Sequence, residues 1–205
     1  MRSRLIALLA VALVLALSLV LVLARQNGRL LAEYNDLDRR ATTPHAGVWV
    51  PTFEAVSLDG QPVTVGHTAP AGKQVIFILT TTCPYCRASI PAWTRIAAAA
   101  SGIPGASAWG ISLDSAAASK RYARQYHLPY SVILFPEPKL AHLYRARTVP
   151  QTIVVDENGH VIYAHSGVLT GAPVVDSVVA ALHWHPRALR APDSTRLSAG
   201  TRGAN

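Results

Sequence analysis

Two cysteines are the residues of this chain whose type and spacing could do chemistry. They lie in the run Cys83-Pro84-Tyr85-Cys86, and the chain contains two cysteines in all. The apolar run Gln74–Leu79 before them is typical of a buried strand, and a helical pattern follows them. A thiolate at the start of a helix is stabilised by unpaired backbone N–H groups and by the helix dipole. We therefore expect Cys83 to attack disulfides as a nucleophile and Cys86, one helical turn further on, to resolve the mixed disulfide that forms.

The two residues between the cysteines fit the same interpretation. Pro84 suits the first turn of a helix, where its missing N–H would have no intrahelical partner. Tyr85 is expected to lie exposed beside the sulfur atoms. We expect both side chains to contact a bound substrate.

Two other interpretations of a Cys-x-x-Cys pair have to be weighed. A closed zinc site needs four nitrogen or sulfur ligands, and neither a second such pair nor a histidine pair at zinc-finger spacing follows in the sequence. Two sulfur atoms could still hold copper(I). A purely structural disulfide would close a very small loop here and remove little entropy from the unfolded chain. The residues therefore favour thiol-disulfide exchange. We expect no metal ion and no cofactor beyond a redox-active Cys83–Cys86 disulfide.

The formal net charge of +8 raises the question of a nucleic-acid partner. Most of this charge comes from the two ends of the chain, because six arginines lie in residues 1–40 and four in residues 185–205. The stretch between them is nearly neutral. Basic ends around such a domain are typical of contact with an anionic membrane surface or of a solvated tail. We therefore expect a membrane, and no nucleic acid, among the partners.

The N-terminal segment is long and apolar enough to cross a membrane. From Leu5 to Ala24 every residue is apolar except Ser18, and about 20 residues at 1.5 Å each span a hydrocarbon core of roughly 30 Å. The run exceeds the roughly 7–15 apolar residues of a signal peptide. An uncleaved anchor is the expectation, and a cleaved signal is the alternative. We place the anchor in residues 1–25 and a juxtamembrane linker or helix in residues 26–44.

The rest of the chain alternates strand and helix patterns, which predicts one α/β domain over residues 45–185. Asp59-Gly60 and Asn158-Gly159 each lie between apolar stretches and predict β-hairpins. Further strands are predicted at residues 74–79, 108–113, 130–135, 152–155 and 161–164, and helices from the cysteines to before Gly102 and at residues 115–127, 139–146 and 173–183. This order predicts a mixed sheet flanked by helices on both faces. Pro91 predicts a kink in the first helix, and residues 186–205 are expected to form a disordered basic tail.

Several motifs together resemble the membrane-anchored thioredoxin-like proteins of the TlpA and ResA type. They are Pro51-Thr52-Phe53, Asp59-Gly60, Cys83-Pro84-Tyr85-Cys86-Arg87, Pro91, Val149-Pro150-Gln151-Thr152 and Asp156 to Gly159, and they fall within residues 45–183. The resemblance implies a thioredoxin fold and the activity of a thiol-disulfide oxidoreductase. It also implies a cis Val149-Pro150 bond, with Pro150 facing the cysteines and the backbone of Val149 pairing with the bound substrate chain.

The sequence departs from this family at positions that matter for redox chemistry. Thr82 stands where the family has tryptophan before the first cysteine, and Phe77 stands where many thioredoxins have a buried acidic or amide residue. The Pro84-Tyr85 dipeptide resembles that of glutaredoxins. These departures leave open the reduction potential and the handling of the proton on Cys86. Peroxiredoxins share the general fold, but the proline and threonine arrangement that they place before their reactive cysteine is missing.

The working hypothesis is a membrane-tethered thiol-disulfide oxidoreductase, with a single-pass anchor in a bacterial inner membrane and its catalytic domain in the periplasm or otherwise outside the cell membrane. The expected partners are exported proteins with disulfides, such as those awaiting haem or copper insertion. The resemblance also implies a membrane thiol-disulfide electron carrier. A copper chaperone that uses the two thiols and a disulfide donor are the alternatives. The histidines His160, His165, His183 and His185 are assigned no role.

Overall fold

The computed structural model describes residues 2–66 and 72–183, which contain five helices and seven strands. The helices are α1 (Arg2–Thr42), α2 (Pro84–Ser101), α3 (Ala116–Gln125), α4 (Pro138–Leu143) and α5 (Ala172–His183). The strands are β1 (Phe53–Val56), β2 (Pro62–Val65), β3 (Gln74–Leu79), β4 (Ser107–Ser112), β5 (Ser131–Leu134), β6 (Gln151–Val155) and β7 (Val161–Ser166). The predicted disordered tail, residues 186–205, lies outside the described residues.

Five of the strands form one central sheet, in the order β5-β4-β3-β6-β7. β3, β4 and β5 run parallel to one another, whereas β6 pairs antiparallel with both β3 and β7. The sequence-based prediction of a mixed sheet is therefore confirmed. β1 and β2 form the predicted hairpin beside it, and Gly60 in their turn has a φ of +84°, a conformation that glycine adopts readily.

The central strand β3 is covered on both faces, as its continuous apolar sequence predicts. On one face Val75, Phe77 and Leu79 pack against α2, α3 and α5. On the other face Ile76 and Ile78 pack against the β1–β2 hairpin and α4. Each fully buried aliphatic side chain of this kind stabilises the fold by about 1.5–3 kcal/mol. The packing holds α2 firmly on one face, so the start of this helix is fixed at one end of the sheet.

The apolar segment and the polar segment after it form one continuous helix, α1. The polar part is helical because it contains no proline and several charged residues with good helix propensity. One ion pair spans a turn near its end, where Arg40 Nε lies 2.9 Å from Asp36 Oδ2. Of the two expectations for residues 26–44, a linker or a helix, the structure shows a helix to Thr42. By length and composition, α1 is the one helix of residues 2–66 and 72–183 that could cross a membrane.

Candidate active site

The strand arrangement brings the cysteines and the Val149-Pro150 segment to the same end of the sheet. β3 ends just before the cysteines, and β6 begins just after Pro150. Because β3 and β6 are antiparallel neighbours, with Ile78 opposite Gln151, the end of one strand lies beside the start of the other. Two segments separated by more than sixty residues in sequence are thereby placed side by side.

Cys83 is the N-cap residue of α2, as its position between strand and helix predicts. Its backbone is extended, at φ −77° and ψ 117°, and its Sγ accepts a hydrogen bond from the Cys86 backbone N–H at 3.4 Å. Pro84 is the first helical residue, where no intrahelical N–H is missed. The Cys83 side chain is partly exposed. The sulfur therefore meets both the solvent and the positive end of a helix.

Cys86 lies one turn further into α2 and is fully buried. Burial raises the pKa of its thiol to about 12; the neighbouring Cys83 adds to this shift, and hydrogen bonding with Thr80 opposes it. At neutral pH Cys86 is therefore a protonated thiol. The two cysteines are not bonded to each other, so the structure represents the dithiol form.

Val149, Pro150 and Tyr85 lie near the sulfur atoms, where the sequence analysis expected them. The Val149-Pro150 bond is cis, and the carbonyl oxygen of Val149 lies 4.0 Å from Cys83 Sγ. Tyr85 is 63% exposed at the start of α2. The structure thus brings the cysteines together with Val149, Pro150 and the two residues between the cysteines, while the part of these neighbours in substrate binding stays a prediction.

Asp114 is a residue of this site that the sequence reasoning missed. It follows β4, which runs parallel to β3 and therefore ends at the same edge of the sheet. Its Oδ2 accepts two hydrogen bonds from Thr81, one from the backbone N–H and one from Oγ1, both at 2.6 Å. The contact fixes the loop that carries Cys83. An acidic residue directly after a buried strand is the signal that could have pointed to it.

The buried cluster that contains Cys86 includes several aromatic side chains. Phe77 is fully buried; its ring stacks on Trp93 of α2 at a centroid distance of 5.3 Å and lies 4.9 Å from the ring of Tyr130. Tyr122 of α3 belongs to the same cluster. Many thioredoxins have a buried acidic or amide residue at the position of Phe77. In this protein the position holds an apolar ring instead.

The histidines that received no role lie on other parts of the domain. His160 faces Asp156 beside the β6–β7 turn, with 3.8 Å between Nδ1 and Oδ1, and His165 Nε2 lies 3.2 Å from the Val168 carbonyl oxygen. His183 ends α5, and His185 lies outside the described residues. Within residues 2–66 and 72–183, no group of three or more histidine, cysteine, aspartate or glutamate side chains is arranged to hold a metal ion.

Comparison with known proteins assigns the family. The profile of the AhpC/TSA family matches residues 46–164, which is more than half of the chain. The chain belongs to the AhpC/TSA family. Membership of the AhpC/TSA family, together with the mixed sheet, confirms the thioredoxin-like resemblance drawn from the sequence and the thioredoxin fold that it implied.

Solved structures show the same fold as this AhpC/TSA member. The thioredoxin domain of a thiol-disulfide oxidoreductase from Bacteroides vulgatus is 18% identical, with a TM-score of 0.56 over 67% of this chain and 98% of that one. StoA from Bacillus subtilis is 14% identical, with a TM-score of 0.55 over 65% and 98% of the two chains. Peroxidoxin BcpB from Mycobacterium tuberculosis is 20% identical, with a TM-score of 0.56 over 68% and 97%. A search of the curated proteins found no significant match.

Proposed function

We propose that this protein is a membrane-anchored thiol-disulfide oxidoreductase that reduces disulfides of exported proteins through Cys83 and Cys86. The observation that carries the proposal is the asymmetry of the pair. One thiol is partly exposed at a helix N-terminus, and the other is buried one turn behind it with its backbone N–H on the first sulfur. Such a pair can exchange a disulfide in two ordered steps.

In the first step the thiolate of Cys83 attacks a disulfide of the substrate. A mixed disulfide forms between Cys83 and one substrate sulfur, and the other substrate sulfur leaves as a thiolate. In the second step Cys86 loses its proton and attacks Cys83. The Cys83–Cys86 disulfide forms, and the substrate leaves fully reduced, so that two electrons have passed from the protein to the substrate.

The surroundings of Cys83 supply a place for the substrate chain. The carbonyl group of Val149 lies beside the sulfur, where it can accept a hydrogen bond from a backbone N–H of the substrate. Pro150 directly precedes β6, and Pro84 and Tyr85 are exposed next to Cys83 at the start of α2. A protein substrate in extended conformation would lie along the Val149-Pro150 segment, close to Pro84 and Tyr85.

The anchor and the family resemblance support the location and the partners in this proposal. α1 would cross a bacterial inner membrane and hold the domain in the periplasm, an oxidising compartment in which disulfides persist. Return of Cys83–Cys86 to the dithiol would then need a membrane thiol-disulfide electron carrier. Cysteines at haem sites of apocytochrome c and at copper sites of oxidase subunits are the proposed substrate class.

Trapping of the mixed disulfide tests the exchange in the full-length protein. In detergent, Cys86→Ser should accumulate a covalent complex with a disulfide-containing protein, because Cys83 still attacks and the complex is not resolved. Cys83→Ser is the matched control, and it should form none. Equal amounts of complex with both variants, or with neither, would contradict the proposed roles.

The reduction potential decides the direction of electron flow. Equilibration of the full-length protein with dithiothreitol or glutathione buffers, followed by thiol alkylation, measures it. A value near the roughly −270 mV of thioredoxin supports a reductase, and a value near about −120 mV indicates a disulfide donor. Tight copper(I) binding by the dithiol without turnover of disulfides would instead indicate a chaperone.

A further inference from the structure

Cys86 has to lose a proton before it can resolve a mixed disulfide, and its surroundings oppose this step. Its side chain is fully buried in an apolar cluster, and hydrogen bonding with Thr80 offsets only part of the cost of ionising the thiol. Burial raises the pKa of the thiol to about 12. A charge formed in such a place is costly unless donors within the protein reach it.

Two tyrosines of the same cluster carry hydroxyl groups that have no partner. Tyr122 on α3 and Tyr130 just before β5 are 6% and 7% exposed and pack in the cluster that contains Cys86. Their hydroxyl oxygens are buried and make no hydrogen bond with any described residue. The buried hydroxyl of Tyr144, on the opposite face of the sheet, donates to the Pro51 carbonyl at 2.8 Å. Nearly all buried polar atoms are paired in folded proteins, so the two unpaired donors in the cluster of Cys86 call for an explanation.

The sheet makes room for one of these rings. Gly110 on β4 lies opposite Phe77 on β3 and Val132 on β5. A Cβ atom at Gly110 would come within 3.0 Å of Tyr130 Cε2. The ring of Tyr130 therefore fills the space that a side chain on β4 would occupy.

The charge of Cys86 contributes to the raised pKa of both hydroxyl groups. Burial raises the pKa of Tyr122 to about 12, and the charge of Cys86 is the next largest contribution to that shift. The pKa of Tyr130 is raised by burial first, then by Tyr122 and by Cys86. The titratable groups that pack on this cluster come from α2, α3, the start of β5 and β7, and they are Cys83, Arg87, Tyr122, Tyr126, Tyr130 and Tyr163.

We propose that the hydroxyl groups of Tyr122 and Tyr130 donate hydrogen bonds to the Cys86 thiolate as it forms during resolution. In the resting dithiol the neutral sulfur is a weak acceptor, and catalytic hydrogen bonds are often long until the reaction proceeds. As Cys86 attacks Cys83, its proton passes to the substrate sulfur that leaves, and both tyrosines keep their own protons. One disulfide bond forms and one breaks. The inference rests on the proposed function, because it assigns a role within that exchange.

The two steps of exchange can be followed separately with the aromatic disulfide dithiobis(nitrobenzoate). Attack by Cys83 of the reduced, full-length protein in detergent releases one coloured thiol, and resolution by Cys86 releases the second. Tyr122→Phe and Tyr130→Phe remove only a hydroxyl group. We expect each to slow the second release about tenfold at neutral pH, in line with a hydrogen bond to a charged group. The pH profile of the second release should shift upward by about one unit, and the first release should stay unchanged.

Tyr144→Phe is the matched control, because it also removes a buried hydroxyl but on the opposite face of the sheet. In this variant the first and the second coloured thiol should be released at the same rates as in the unmodified protein. Unchanged second release in both Tyr122→Phe and Tyr130→Phe would overturn the inference, and so would equal slowing in Tyr144→Phe. If the unmodified protein released only one coloured thiol, the proposed exchange itself would fail, so the two failures are distinguishable.

Discussion

At the scale of single residues, burial divides the chemistry between the two cysteines. Cys83 is partly exposed and can meet a disulfide on a protein surface. Cys86 is fully buried, and the sulfur within its reach is that of Cys83. A substrate therefore meets the two thiols in a fixed order, the first by direct attack and the second through the mixed disulfide.

The burial of Cys86 predicts how the reduction potential depends on pH. Reduction of the disulfide adds two electrons, and each proton taken up with them changes the potential by about 30 mV per pH unit. Because the pKa of Cys86 is raised to about 12 by burial, this thiol takes up a proton at any pH below that value. The potential should therefore fall by at least about 30 mV per unit between about pH 6 and pH 10. Thiol alkylation in dithiothreitol buffers at several pH values measures the slope, and a slope near zero within that range would contradict the assigned burial of Cys86.

At the scale of elements, the ends of two parallel strands are tied together beside the cysteines. Asp114 after β4 accepts both hydrogen bonds of Thr81, which precedes the N-cap of α2 by two residues. The carboxylate links the loop after β3 to the loop after β4. The position of Cys83 therefore depends on how β3 and β4 are aligned in the sheet, as well as on α2.

Replacement of Asp114 should loosen this link. Asp114→Ala leaves the partly buried N–H of Thr81 without its acceptor, and we expect a loss of about 1–2 kcal/mol in the free energy of unfolding. Asp114→Asn keeps an acceptor oxygen and should lose less. Urea unfolding of the detergent-solubilised protein, followed by tryptophan fluorescence, measures both. Asp176→Ala on the exposed side of α5 is the control; a loss as large as that of Asp114→Ala would show that the effect is not specific to the link.

The elements themselves were largely predictable from the sequence, and the contacts between them were not. The apolar run of β3 and the Asp59-Gly60 and Asn158-Gly159 turns carry local signals, and the structure has a strand and two hairpins there. No local pattern marks Tyr122 and Tyr130, because they join the cluster of Cys86 only through the packing of α3 and β5 on β3 and β4. Local sequence patterns do not encode contacts between segments that are distant in sequence. The resemblance to a family, rather than periodicity, indicated the cis bond before Pro150.

At the scale of the whole molecule, one arginine joins the long N-terminal helix to the domain. The Arg145 guanidinium donates to the backbone carbonyl oxygens of Arg40 and, at 3.2 Å, Thr43, which lie at the end of α1. The free carbonyl groups at a helix C-terminus carry partial negative charge, so a cation is favoured there. The Arg145 carbonyl in turn accepts a hydrogen bond from Gln151 Nε2 at 3.1 Å, directly after Pro150. A short chain of contacts therefore connects the helix to the segment beside Cys83.

This connection predicts that Arg145 holds the end of α1 against the domain. Arg145 has a φ of +54°, a conformation that glycine accepts without strain, so Arg145→Gly removes the guanidinium and spares the backbone. We expect amide hydrogen exchange of residues 42–47 to quicken severalfold in this variant, because the last turn of α1 loses its partner. Mass spectrometry of the full-length protein in detergent measures the exchange. Arg147→Gly, at an exposed neighbouring arginine, is the control. Equal exchange in residues 42–47 of the Arg145→Gly and unmodified proteins would show that α1 is held by other contacts, and the domain would then be tethered to its anchor without a fixed attachment at Arg145.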